Sequence, residues 1–97
     1  AFETALLLDP NYPEAFYNLG IAQLRQGRPE AALPAFDQAI VLFPNFGHAY
    51  YSRALALEEL GRRDEARQNL EQALGLYLYQ GRGEWAAQAQ AQLDRIE

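Results

Sequence analysis

Sliding the chain along itself by 34 residues aligns landmark after landmark, and this internal period limits the possible folds more than any other feature. Phe2 falls on Phe36, Ala5 on Ala39, Pro10-Asn11 on Pro44-Asn45, Ala15 on Ala49, Tyr17 on Tyr51, Ala22 on Ala56, Gly27-Arg28 on Gly61-Arg62 and Ala32 on Ala66. Over the first 46 residues compared in this way, 15 pairs are identical, where roughly four would arise in unrelated stretches of so Ala- and Leu-rich a composition. A unit this short cannot bury an apolar face alone, so successive copies must stack and share a core.

Each landmark has a local physical reason. Pro10 and Pro44 follow apolar helical runs that they cannot continue, because proline lacks the amide hydrogen and clashes with the preceding turn. Gly27 and Gly61 follow the helical patterns 14–26 and 48–60, where a left-handed residue closes a helix at least cost. Pro29 suits the first turn of the next helix, and Glu30 and Asp64 place negative charge where the helix dipole favours it. Small residues at Gly20, Ala32 and Ala39, and again at Ala54, Ala66 and Ala73, alternate with bulky Phe16, Phe36, Tyr50 and Leu70. That alternation lets helices approach closely with large side chains locked between backbones.

The resulting map is all-α. Residues 1–12 form the second helix of a truncated repeat, with helical character over 1–9; 13–46 form a complete repeat with helices at 13–26 and 29–42. Residues 47–80 form the next, with helices at 47–60 and 63–79, and 81–97 supply a capping helix over 84–96. Leu78 stands where the expected proline would be, so the last second helix can run on through Tyr79 before Gly81-Arg82-Gly83 turns the chain. In the final helix Trp85, Ala89, Leu93 and Ile96 fall on or near one stripe, and Gln88, Gln90, Gln92, Asp94 and Arg95 give the polar outer face a terminal helix needs. The chain begins in mid-pattern, Ala1-Phe2-Glu3-Thr4-Ala5-Leu6, and reads as a piece of a longer protein.

The order Phe16-Tyr17-Asn18-Leu19-Gly20, Gly27, Ala32, Phe36, Ala39, Pro44, repeated as Tyr50-Tyr51-Ser52-Arg53-Ala54, Gly61, Ala66, Leu70, Ala73, resembles the signature of the tetratricopeptide repeat family. The resemblance covers residues 1 to about 77. It implies antiparallel helix–turn–helix units stacked as a right-handed α-solenoid. Gln23, where the family usually has an aromatic, and Arg53, where it often has leucine, depart from the pattern at the rim of the packed face.

Composition narrows the function. The net charge of −5 and pI near 4.8 argue against a nucleic-acid binder, which needs a basic face to displace counterions from phosphate. All eight basic residues are arginines, spread singly apart from Arg62-Arg63, so no polybasic patch exists. Cysteine is absent, which excludes a disulfide framework and thiolate metal ligation. No apolar run approaches the length of a membrane span, and a cytoplasmic location is expected.

No constellation for catalysis emerges. His48 is the single histidine, with no second histidine or cysteine to complete a metal site and no nucleophile identifiable beside it. Glu58 and Glu59 are adjacent helical residues pointing about 100° apart, so they cannot converge on one bond. Gly81-Arg82-Gly83 lacks the preceding strand and the lysine of a phosphate loop. A non-enzymatic protein without cofactor or metal is expected.

The resemblance implies that the first helices of successive units line a concave groove. Carried over by position, its contact residues are Glu14, Tyr17, Asn18, Ile21 and Arg25 in one unit and His48, Tyr51, Ser52, Leu55 and Glu59 in the next. Some family members grip acidic C-terminal tails through a clamp of lysines, arginine and asparagines. Here only Asn18 matches that clamp; Tyr17 and Ile21 replace a basic residue and an asparagine, His48 and Ser52 replace basic residues, and Glu14 and Glu59 would repel a carboxylate. The expected partner is therefore a protein or peptide segment with apolar anchors and neutral or basic flanks, bound by a protein–protein interaction scaffold. The other reading is a structural or self-association module that packs against other copies or other domains of its own chain. In either case weak self-association is expected through Phe2, Leu6 and Leu8 of the truncated N-terminal helix.

Overall fold

The computed structural model describes residues 12–96, which form five helices. These are α1 (Pro13–Arg25), α2 (Pro29–Leu42), α3 (Gly47–Glu59), α4 (Arg63–Tyr79) and α5 (Gly83–Ile96). No strand occurs among the described residues. The helix expected over 1–9, and with it the self-association surface of Phe2, Leu6 and Leu8, lies outside the described residues.

Three of the four connections are the same turn. Gly27, Gly61 and Gly81 adopt φ of 75°, 78° and 71°, the left-handed conformation that a side chain would strain. Around each, two amides reach back to the end of the preceding helix: Gly27 to Leu24 and Arg28 to Gln23, Gly61 to Glu58 and Arg62 to Leu57, Gly81 to Leu78 and Arg82 to Tyr77. This is the Schellman closure, which satisfies carbonyls the helix leaves orphaned. The α2–α3 connection differs, because Pro44 stops α2 and the chain passes through Phe43 and Phe46 into α3. The capping helix thus enters through a turn of the kind used inside a unit, rather than the proline junction used between units.

Close packing follows from the small residues. Ala32, Ala39, Ala54, Ala66 and Ala73 are fully buried, as are the large side chains Phe36, Leu57 and Leu70 that they admit. Gly20 shows how tight this is: a Cβ there would lie 2.5 Å from Cε1 of Phe36. In the second unit the same two positions hold Ala54 and Leu70, so a methyl group gained on one helix is matched by a smaller side chain on the other. Ala54, Leu57, Ala66 and Leu70 continue into Leu93 and Ile96 of α5, so the last helix shares the core of the unit before it. Arg53 adds a polar clasp across the stack, donating to Asp37 of α2 at 2.6 Å and to Asn69 of α4 at 3.3 Å. Its position on the rim accommodates a charge where leucine is common.

Candidate functional site

The ten residues expected in the groove fall into four groups. Tyr17, Asn18, Ile21 and Arg25 lie on one side of α1, where with Ala22 and Gln26 they line an open concavity of about 530 Å³. Helical spacing explains this, since positions three, four and seven apart share a face. Glu14 and His48, at the starts of α1 and α3, line a separate pocket of about 350 Å³. Tyr51, Leu55 and Glu59 are on α3 but line neither space. Ser52 is only 4% exposed, so it cannot meet a partner on the surface as its position in the pattern implied. α3 is an interior helix packed by α1, α2 and α4 and sharing a core with α5, and Ser52 falls on its enclosed side.

Tyr51 is half-buried for the same reason, packing against both the Ala54–Leu70 core and the cluster of Ala73, Tyr77, Ala86 and Ala89. Burial raises its hydroxyl pKa above the ordinary value, with Glu58 adding to the shift and Arg95 opposing it. Glu58 is itself occupied, accepting a hydrogen bond from Gln92 of α5 at 2.8 Å.

The second pocket is built largely from residues that the repeat pattern does not single out. Phe43, Asn45 and Phe46 of the α2–α3 connection and Gly47 at the start of α3 line it together with Tyr77, Gln80, Arg82 and Trp85. Their rings make a continuous row. Phe43 meets Phe46 at 5.6 Å between centroids, Phe46 meets Tyr17 at 5.0 Å, Tyr17 meets His48 at 6.4 Å, and His48 meets the edge of Trp85 at 4.2 Å. Such tilted and edge contacts suit the charge distribution of aromatic rings. Arg82 ends the row, its guanidinium carbon 4.9 Å from the centroid of the Trp85 ring.

His48 is thus a member of an aromatic wall. Its Nδ1 lies 2.8 Å from the Tyr77 hydroxyl. Burial, and then the charge of Arg82, lower the pKa of the imidazole below its ordinary value. Burial likewise raises that of Tyr77, so the phenol keeps its proton and can donate to a bare Nδ1 on neutral histidine. Among the described residues no group of three or more His, Asp or Glu side chains could hold a metal ion. The sequence signal for this wall was Leu78 in place of proline: it lets α4 run to 17 residues against 14 in α2, and so carries Tyr77 onto the start of α3.

A family model described as Tetratricopeptide repeat matches residues 1–46 and again residues 17–80. No curated protein matches the chain. Among solved structures, PcrH in complex with the chaperone binding region of PopD, from Pseudomonas aeruginosa, is 25% identical with a TM-score of 0.93, covering 98% of this chain and 72% of that chain. The type III secretion translocator chaperone SycD of Yersinia enterocolitica is 21% identical with a TM-score of 0.92, covering 98% and 66%. The first repeat domain of Spaghetti, bound to the HSP90 peptide SRMEEVD, is 23% identical with a TM-score of 0.88, covering 98% and 71%. This chain therefore spans about two thirds of the length of SycD. No helix among the described residues is long and apolar enough to cross a membrane.

Proposed function

The chain belongs to the tetratricopeptide repeat family, and on that premise we propose that it is a non-enzymatic scaffold holding a peptide or protein segment in its concave groove. The observation that carries this is the joint placement of Tyr17, Asn18, Ile21 and Arg25, half-exposed or exposed, along one open concavity on α1. Together they offer flat apolar area, an amide and a cation, a combination that suits an extended or helical segment. PcrH is seen with the chaperone binding region of its partner PopD, and the Spaghetti repeats with a peptide, which supports the same use here. Glu14 and Glu59 are exposed on a chain of net charge −5, so the segment has apolar anchors with neutral or basic flanks, steered in by charge. A cytoplasmic location accompanies this reading.

Self-association is the second reading, favoured by one observation: Val41, Leu78 and Tyr79 are large apolar residues exposed by 69%, 63% and 90%. Affinity for an isolated partner segment separates the two. Tyr17→Ala and Ile21→Ala are each expected to lose about 1–2 kcal/mol of binding, while Gln72→Ala, exposed on α4, leaves it unchanged. Equal loss from all three, or loss from Gln72→Ala alone, would move the site off the groove. A mass that rises with concentration and no segment binding would favour the self-association module.

A further inference from the structure

The pocket between the α2–α3 connection and the α4–α5 turn has a charge arrangement that its apolar walls do not require. Glu14 enters it from α1 and Arg82 from the turn before α5. Along the row of rings, Tyr17 on the helix of Glu14 and Trp85 beneath Arg82 stand on either side of His48. A carboxylate from α1 and a guanidinium from the α4–α5 turn thus line one pocket together with aromatic rings.

Neither charge is paired with an opposite one among the described residues. Arg53, Arg62 and Arg67 each have a carboxylate within 4 Å, but no such partner exists for Arg82 or for Glu14 among the described residues, although Glu84 lies only two positions beyond Arg82. Arg82 instead lies over the Trp85 ring, and its guanidinium makes no hydrogen bond among the described residues, so its donors can meet a carboxylate. The extra turn of α4 contributes Tyr77 to the lining of this pocket. Tyr77 reaches it only because residue 47 is glycine: a Cβ there would lie 2.7 Å from Cε1 of the ring. The same turn carries exposed Leu78 and Tyr79, so apolar surface continues outward from this wall.

We infer that this pocket reads the direction of the bound segment, taking one apolar side chain between a basic residue held by Glu14 and an acidic residue held by Arg82; the inference rests on the scaffold reading above. Charge complementarity selects this occupant. A second cation at the Trp85 face would be repelled by Arg82, and an apolar anchor with no charged neighbours would leave both charges unpaired. Reversing the segment would set like charges against each other at both ends. The pocket therefore adds polarity to a groove whose α1 residues supply contact area. A single carboxylate at Arg82 is compatible with a segment otherwise neutral or basic.

Selection of random dodecapeptides displayed on phage against the whole chain tests this. Enriched peptides should carry an apolar residue with an acidic residue to one side and a basic residue to the other, in one order only. Against Arg82→Gln the acidic position should lose its enrichment while the apolar position keeps it; against Glu14→Gln the basic position should be lost; Arg82→Lys should retain the acidic preference. A selected peptide resynthesised without tryptophan should bind Arg82→Gln about two- to fivefold more weakly. It should also shift the emission of Trp85, the single tryptophan of the chain and part of the pocket wall. Enriched peptides with no charge order, an order unchanged by the two charge-removing variants, or unmoved Trp85 emission would each overturn the inference and leave the scaffold reading standing. Recovery of no peptide at all would remove the scaffold reading and this inference with it.

Discussion

Replacing Gly20 by alanine sets two effects of opposite sign against each other at one atom. In the interior of an exposed helix the change stabilises by about 1 kcal/mol, because glycine loses more backbone freedom on folding. Here the new Cβ would lie 2.5 Å from Cε1 and 2.8 Å from Cδ1 and Cζ of Phe36, a ring that is fully buried and has nowhere to retreat. Contacts at that distance force the ring off its rotamer or push α1 from α2, and overpacking of this kind costs about 1–3 kcal/mol. The net expectation for Gly20→Ala is a loss of about 1 kcal/mol, or about 4–8 °C in melting temperature for a domain of this size. The second unit points to the remedy, since Ala54 and Leu70 occupy the equivalent positions and are both fully buried. In a Phe36→Leu background, Gly20→Ala should therefore reverse sign and stabilise by up to about 1 kcal/mol. A double-mutant cycle by urea unfolding, followed by circular dichroism, measures this coupling directly. If Gly20→Ala has the same effect in both backgrounds, the Gly20–Phe36 contact does not set the α1–α2 spacing and the packing argument fails.

Two further outcomes follow from the packing and from the aromatic wall. Ala39→Leu and Ala73→Leu should each destabilise by about 1–3 kcal/mol, because both side chains are fully buried; an unchanged melting temperature for either would misplace the helix contact. His48, whose pKa burial and Arg82 hold below the ordinary 6.5, is favoured in its neutral form by the fold. The unfolded chain then binds the proton more readily, so the stability it contributes is present above 6.5 and is lost as pH falls through the lower folded value. Urea midpoints taken from about pH 7 to about pH 5 should fall more steeply for the wild type than for His48→Gln, whose side chain does not titrate. Parallel curves for the two proteins would show that the imidazole is not desolvated.

What could be read from the sequence was local. The 34-residue period, the stops at Pro44 and the glycine turns at Gly27 and Gly61 depend on backbone preferences of a few neighbouring residues, and these act before any tertiary contact forms. Spacing on a single helix is also local, which is why Tyr17, Asn18, Ile21 and Arg25 could be placed on one face of α1. Local rules failed where a neighbour from another unit decides exposure. Ser52 follows the same helical spacing as Asn18, yet it is buried because α3 has packed helices on several sides. The wall joining Phe46, His48, Tyr77 and Trp85 was equally out of reach, since Tyr77 and His48 are 29 residues apart and meet only through the crossing of α3 with α4. Leu78 in place of proline announced a longer helix, but not where its extra turn would land. That depended on how closely Gly47 lets the Tyr77 ring approach, a distance set by packing and by no preference of either residue alone.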